Sequence, residues 1–395
     1  MKILISAAEA SSDVHGAKLL AALKELAPPT EKIEAFGIGG PRLAEAGLRC
    51  LVDSRELLVM GFTEILGRLP KIYKILDFIA QQAKMERPDI VVLMDYPDFH
   101  LRLAKKLKKM GIPVIYYIPP KLWVWRQGRA RALKELFQRV LCIFPFEEDF
   151  YKGLGVSVKY VGNPLVDELP FELTREKARA ELGLKTNDSV LTLLLGSRPA
   201  ELKFHMNPML EASVLTAKKL QRGRLQVLIP LPQTVEARSL KERTEALARN
   251  DVPVDFHIVS GKAHASLVAA DVALVKSGTS TLEAGLLGSV HAVVYKPSWI
   301  SNQIYKYFIR YQGPVALVNL VAGGFGKKNP DEWLIREILC ENVRAETIAE
   351  EAYSLFTDQE KRNRIEKGLQ GLREKIVGTQ SPSHIAAGEI LNLLK

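Results

Sequence analysis

Cysteine is scarce in this chain. The three present in 395 residues, Cys50, Cys142 and Cys340, stand far apart and in no C-x-x-C spacing. That excludes a disulfide framework and a zinc-ribbon site, and it suits a reducing compartment. Long apolar runs are missing as well. The longest stretch without a formal charge, Tyr311 to Gly326, contains Pro314, Gln312, Asn319 and four glycines, and so fails as a membrane span, which needs about 20 mostly apolar residues. Any membrane contact is then peripheral. No repeat with a period of about 20 to 50 residues and no low-complexity tract is present, which sets aside solenoids, propellers and disordered chains. The first loop lacks G-x-G-x-x-G, so there is no dinucleotide fingerprint.

What is present reads as globular α/β. The chain is 47% hydrophobic and 25% charged, and its length suggests roughly two to three domains, of which two is the simpler count. Fifty-five Lys and Arg against 45 Asp and Glu leave a net charge of +10. Such an excess favours an anionic partner: nucleic acid, a phosphorylated metabolite or an anionic membrane. Met1 to Ser6 reads as a first strand rather than a signal peptide. Short β-branched or Leu-rich runs alternate with helix-period segments, the signature of parallel sheets covered by helices. Strands are expected at 2–6, 35–38, 90–94, 114–118, 140–144 and 158–161, and again at 190–195, 226–230, 254–259, 272–275 and 292–295. Two Rossmann-like doubly wound domains follow, 1–170 and 171–342, with a strandless helical tail, 343–395, placed to cap or cross between them.

In open parallel sheets, ligands bind beyond the carboxyl ends of the strands, which directs attention to five loops. The first runs Ala7-Ala8-Glu9-Ala10-Ser11-Ser12-Asp13-Val14-His15-Gly16; Ser11, Ser12 or Asp13 could cap a helix there or face a ligand. After the 90–94 strand, Asp95-Tyr96-Pro97-Asp98-Phe99-His100 carries two carboxylates. Asp98 suits a helix cap, leaving Asp95 as the candidate base, its pKa raised by burial. Pro119 to Arg129 sets Trp123 and Trp125 beside Lys121 and Arg126, either a sugar- or base-binding surface or packed indoles. Gly196-Ser197-Arg198 and Lys276-Ser277-Gly278-Thr279-Ser280-Thr281-Leu282-Glu283 each join a strand to a helix. Free N–H groups and a guanidinium at a helix start make a natural diphosphate site, and Glu283 is placed to accept from ribose hydroxyls; ordinary turns with a surface Arg and a solvent-facing Glu are the alternative.

Two segments combine apolar and basic residues at helical spacing. One runs from Glu56 to Gln82, with Phe62, Ile65, Leu66, Lys71 and Lys74; the other from Trp299 to Tyr311, with Lys306 and Arg310. Such helices can lie in an anionic interface or simply face a core.

Taken together, the loops resemble the lipid-A-disaccharide synthases, glycosyltransferases of Gram-negative lipid A biosynthesis. Ser6 to Gly16 is similar to that family's A-G-E-x-S-G-D-x-x-G, and Gly39-Gly40-Pro41-Arg42 to its G-G-P-x-M/R. Val59-Met60-Gly61 with Glu64 and Leu66 is similar to V-M-G-x-x-E-x-L, Asp95 with Asp98-Phe99 to D-x-P-D-F-N, and Trp123-Val124-Trp125 to W-A-W. Phe144 to Glu147, Val161 to Asp167, Gly196 to Glu201 and Ser277 to Glu283 resemble its P-F-E, V-G-H-P-L-x-D, G-S-R-x-x-E and S-G-T-A-T-L-E. The resemblance implies a GT-B fold with a cleft between two Rossmann-like domains. It implies inverting, metal-independent transfer, without a cofactor, of a 2,3-diacylglucosamine from UDP-2,3-diacylglucosamine to the 6-hydroxyl of lipid X, 2,3-diacylglucosamine 1-phosphate. Asp95, with Glu9, Asp98 and Arg198, is then catalytic; Gly196, Ser197, Arg198, Ser277, Gly278, Thr279, Glu283 and Asn319 bind UDP; Glu9, Ser11, Asp13, Trp123 and Arg126 meet the acceptor. Phe62, Ile65, Leu66, Lys71 and Lys74 face an anionic membrane. A cytoplasmic enzyme peripheral to the inner membrane follows, compatible with a homodimer and without a nucleic-acid partner. Another UDP-sugar enzyme of this fold, such as a transferase on a polyprenyl-linked acceptor or an epimerase, or a catalytically silent relative that binds nucleotide sugar or lipid are the other readings. The chain departs from the family pattern at Ala8 and Ser12, which replace glycines, and at Asn163 and Leu195, which replace His and Pro; a positive φ at Ala8 or Ser12 would strain the first loop.

Overall fold

The computed structural model describes residues 1–57, 62–123, 127–232, 237–248, 252–297 and 311–394, with 10, 62–68, 127 and 199–200 described by backbone alone. Two compact units emerge, Met1–Asp167 joined by Ile376–Lys395, and Glu168–Lys375.

The first unit is built on β1 (Lys2–Ala7), β2 (Glu34–Gly39), β3 (Leu48–Asp53), β4 (Ile90–Met94), β5 (Val114–Tyr117), β6 (Arg139–Cys142) and β7 (Val158–Tyr160). These pair in parallel in the order β3-β2-β1-β4-β5-β6-β7. Strand β4, Ile-Val-Val-Leu-Met, is buried along its whole length, as parallel strands covered on both faces must be. Alternation sends Ile90, Val92 and Met94 into one core with Ile3, Ile5, Leu19 and Leu23, while Val91 and Leu93 join the other with Ile79, Leu103 and Leu107. The helices between are α1 (Ala10–Leu26), α2 (Pro41–Glu45), α3 (Phe62–Glu86), α4 (Pro97–Lys109), α5 (Ala130–Leu136) and α6 (Pro145–Gly153). Helix α4 shows why they form. Pro97 starts it, Phe99, His100, Leu103, Ala104 and Leu107 recur on its buried side, and lysines crowd its last turn, where they complement the helix dipole.

The second unit carries β8 (Ser189–Leu194), β9 (Leu225–Leu231), β10 (Val254–Ser260), β11 (Val272–Lys276), β12 (His291–Tyr295) and β13 (Glu337–Leu339), again parallel, in the order β10-β9-β8-β11-β12-β13. Its helices are α7 (Arg175–Glu181), α8 (Pro199–Leu220), α9 (Arg238–Ala248), α10 (Ala263–Ala269), α11 (Thr279–Leu286), α12 (Ala345–Thr357) and α13 (Gln359–Ile376). The last helix, α14 (Pro382–Asn392), belongs to the first unit.

Three details extend the sequence reading. The edge strands β3 and β13 are additional to the sequence reading, the first with Arg49 and Cys50 exposed and the second only three residues long. The 343–395 tail, expected to cap or cross between the domains, divides between the two units: α12 packs on α8 of the second, whereas α14 packs on α1 and buries Ala386, Ala387 and Ile390 in the first. Neither Ala8 nor Ser12 has a positive φ, so replacing glycine there leaves the first loop unstrained.

Candidate active site

Both sheets reverse their strand order beside their first strand, between β1 and β4 and between β8 and β11. At such a reversal the two flanking loops turn to opposite faces and open a crevice at the carboxyl ends. In the second unit that crevice is a cavity of about 490 Å³ lined by Gly196, Ser197, Arg198, Glu201, Lys276, Gly278, Thr279, Ser280 and Glu283, with Pro230 to Pro232 and Gly261 completing the wall.

The loop after β8 depends on glycine. Gly196 has φ +114°, and a Cβ there would sit 2.6 Å from Glu201 Oε2 and 2.7 Å from Glu201 Cβ. Glu201, in the first turn of α8, accepts the Ser197 N–H at 3.0 Å and the Lys276 ammonium at 2.8 Å. Burial would raise its carboxyl, but Lys276 and the Ser197 N–H hold it below the ordinary value. The Ser197 N–H is thus turned inward, and Pro199 at the helix start has none to offer. Arg198 is exposed at the rim, with no ion-pair partner among the described residues.

The loop after β11 is the barer one. Gly278 is the N-cap of α11 and has no side chain to offer the first-turn N–H groups, of which that of Thr281 turns back to the Gly278 carbonyl at 3.2 Å. Its backbone is extended, and a Cβ would meet only Lys276 Nζ at 3.7 Å. The glycine therefore keeps a wall of the crevice open rather than serving the turn. Glu283 meets His264 Nε2 at 3.1 Å. Ser277 is buried behind the crevice, its N–H on Val294 O. Lys276 and Glu201 complete the set; sequence reasoning left them out of the site because their pairing joins residues 75 positions apart.

Asn319, expected at UDP, is not among the residues lining that cavity. It is fully buried, donates to Ile335 O and Glu337 Oε1, and accepts from Ile335 N, each at 2.8 Å. With its amide consumed, it fastens the 317–319 turn to β13.

In the first unit, β1 and β4 pair Ala7 with Met94, so the loops holding Glu9 and Asp95 leave adjacent strand ends. Asp95 is half-buried. Desolvation raises its carboxyl, while the Tyr96 N–H and the charge of Lys121 pull the other way. Asp98 lies in the first turn of α4 rather than at its cap, which is Tyr96, and it pairs with Arg129. Glu9 is the N-cap residue of α1 and makes no side-chain cap bond, and Ser11 is exposed. Asp13 departs from expectation. It is 4% exposed and its carboxylate accepts from Gly40 N at 2.7 Å and from Arg42 N and Leu43 N at 3.0 Å, so it caps α2 instead of meeting an acceptor. Trp123 is 6% exposed and its indole N–H goes to Glu147 Oε1 at 3.2 Å; the ring is packed against Phe146 rather than open to a sugar. Burial pushes Glu147 up to about 7, against the pull of Trp123 and Lys121. Asn163 turns its side chain onto Leu165 N at 3.0 Å, a local cap.

Arg126 lies outside the described residues, as do the side chains of Phe62, Ile65 and Leu66 and all of the 299–311 segment but Tyr311. Lys71 pairs with Glu56 at 2.9 Å, and Lys74 is exposed. Beside them α3 leaves Leu69, Tyr73, Phe78 and Met85 exposed while Ile75, Leu76 and Ile79 fill the core. No helix among the described residues is long and apolar enough to cross a membrane.

Two doubly wound parallel units, each with a strand-order reversal, are the building blocks of the GT-B class. Solved structures agree on the fold. The UDP-GlcNAc 2-epimerase from Neisseria meningitidis bound to UDP-GlcNAc matches with a TM-score of 0.59 at 15% identity, over 100% of this chain and 99% of that one. An Anabaena protein in complex with UDP and glucose matches with a TM-score of 0.52 at 13% identity, over 100% of both. Sequence narrows the class. The family model for lipid-A-disaccharide synthetase matches residues 3–387. The lipid-A-disaccharide synthases of Myxococcus xanthus (strain DK1622) and Syntrophus aciditrophicus (strain SB) are 40% and 35% identical, over 100% of this chain and 97% and 98% of theirs. The chain belongs to the lipid-A-disaccharide synthase family.

Proposed function

We propose that the second unit's crevice holds the UDP of UDP-2,3-diacylglucosamine and that Asp95 serves as base for the 6-hydroxyl of 2,3-diacylglucosamine 1-phosphate. That hydroxyl oxygen bonds to the sugar C1, its proton passes to the Asp95 carboxylate, and the C1–O bond to UDP breaks with its electron pair leaving on the diphosphate. The products are the β-1,6-linked disaccharide 1-phosphate and UDP. Arg198 and the Thr279 and Ser280 N–H groups at the start of α11 offset the charge that develops on the leaving diphosphate, a task that needs no metal in this reading. Glu283 accepts from the ribose, exchanging His264 for a hydroxyl. The observation that carries the donor assignment is the bare Gly278 wall beside Arg198, which has no ion-pair partner among the described residues, at the strand-order reversal. For Asp95, it is a half-buried carboxyl raised by desolvation at the matching reversal of the other sheet.

The exposed Leu69, Tyr73 and Phe78 with Lys74 on α3 suit an anionic bilayer surface from which acyl chains are drawn. Co-sedimentation with vesicles containing phosphatidylglycerol tests this: Tyr73→Ser with Phe78→Ser lowers the bound fraction if the face inserts, and leaves it unchanged if it does not. The chemical reading is tested by UDP release with both lipid substrates. Asp95→Asn abolishes turnover while leaving UDP binding intact; an active Asp95→Asn variant would overturn the base assignment.

A further inference from the structure

The turn that carries Asp95 is held in an unusual shape. Asp95 and Tyr96 have φ of +55° and +44°, two consecutive non-glycine residues in a region that L side chains adopt only where their surroundings impose it. The imposing contacts meet at one atom. The Asp95 carbonyl oxygen accepts from His100 Nδ1 at 2.6 Å and from the Tyr116 hydroxyl at 2.7 Å. Both donors are fully buried, one from α4 and one from β5. Because a carbonyl only accepts, Nδ1 carries the proton. Burial keeps the ring neutral, its pKa pushed down to about 4, so Nε2 is a bare acceptor and the Ser6 hydroxyl donates to it at 2.8 Å. A chain of hydrogen bonds therefore runs from Ser6 on β1, through His100, to the Asp95 backbone, with Tyr116 completing the second lone pair. The direction of a side chain follows its own φ and ψ, so whatever fixes this turn also fixes where the Asp95 carboxylate points.

We propose that His100 and Tyr116 are positioning residues for acceptor deprotonation, clamping the left-handed Asp95–Tyr96 turn through the Asp95 carbonyl and thereby aiming the Asp95 carboxylate. The proposal rests on the reading of Asp95 as the base. Neither residue touches substrate in it; both act through the backbone of another.

Asn and Gln separate the two ends of the imidazole, because the Asn amide nitrogen falls near the place of Nδ1 and the Gln amide near that of Nε2. Steady-state kcat and KM for both lipid substrates are measured for His100→Ala, His100→Asn, His100→Gln and Tyr116→Phe, beside Asp95→Asn. His100→Ala lowers kcat about 100-fold, the scale expected when a reacting group is misplaced by about 1 Å, with both KM values within about 2-fold of wild type. His100→Asn, which can still donate to the Asp95 carbonyl while losing Ser6, recovers most of that loss. His100→Gln, which keeps Ser6 and abandons Asp95, does not. Equal kcat in the Asn and Gln variants, or an effect confined to KM, overturns the clamp. If Asp95→Asn is inactive while Asn and Gln at 100 are alike, only the clamp fails; if Asp95→Asn is active, the base reading fails and takes the clamp with it. Should the His100 variants not fold, Tyr116→Phe carries the test alone, since it removes one hydroxyl: a fall in kcat at unchanged KM supports the clamp and an unchanged kcat overturns it.

Discussion

Replacing Asp13 with Ala separates two accounts of the first loop. Read as a ligand for the acceptor, Asp13 matters to KM; read from the structure, it matters to folding. Its carboxylate is 4% exposed and satisfies three backbone donors, Gly40, Arg42 and Leu43, at 2.7, 3.0 and 3.0 Å. Gly40 has to be glycine for this approach, since a Cβ there would stand 2.6 Å from Asp13 Oδ2. Losing an exposed N-cap costs about 0.5–2 kcal/mol, and hydrogen bonds to a charged group contribute about 1.5–3 kcal/mol each before the strandedness of their partners is counted. The three donors share one carboxylate and are not additive, which sets the loss at about 3–5 kcal/mol. For a domain of this size that lowers the melting temperature of the first unit by roughly 10 °C. Asp13→Asn, keeping one acceptor oxygen, falls between. Differential scanning calorimetry supplies the transition and UDP-release kinetics supply the KM values. A melting temperature within about 2 °C of wild type, together with a raised acceptor KM, would refute the capping argument and restore Asp13 to the binding site.

Further outcomes follow from the same geometry. Arg198→Ala weakens UDP binding about 10- to 100-fold, the worth of one charge-assisted contact to a diphosphate; calorimetric titration with UDP reads it, and unchanged affinity removes Arg198 from the donor site. Gly278→Ala places a methyl in open space beside Lys276, so it raises the donor KM while leaving the melting temperature alone; a loss of stability instead would mean that the glycine serves the backbone. His100 is held neutral, at about 4 against 6.5, so the unfolded chain takes up a proton there that the native one refuses, and stability is lost as pH falls from 6.5 towards 4. The urea midpoint of His100→Asn therefore gains on wild type across that window, and a constant difference between the two would contradict the assignment.

The fold was legible because its signals are long and redundant. Runs such as Ile90 to Met94 are buried on both faces, so continuous apolarity marks them, and each is followed by a helix whose period is plain, as in α4. What escaped was short or long-range. Strands β3 and β13 lie at sheet edges, where charged residues such as Arg49 and Glu337 blur the pattern. The tail's crossing between the domains was open to a strandless helical segment, but nothing in its sequence shows which core α12 and α14 each enter. In the site, the G-S-R and S-G-T loops stand at the second unit's crevice as their strand-turn-helix setting implies. Asp13, Trp123 and Asn319 were misread for one reason: a polar group in a loop motif serves a ligand or the loop itself, and only its hydrogen-bond partners tell which. Those partners, Gly40, Glu147 and Ile335, lie 16 to 27 positions away. Lys276 and Glu201 were missed for the converse reason, since neither carries meaning until the other is seen beside it.

The most direct test supplies purified protein with UDP-2,3-diacylglucosamine and 2,3-diacylglucosamine 1-phosphate and follows both products by mass spectrometry. The account predicts disaccharide 1-phosphate and UDP in equal amounts, neither forming when either substrate is withheld, and neither forming with Asp95→Asn. UDP released without disaccharide, or a donor altered at C2 with no acceptor required, would contradict it.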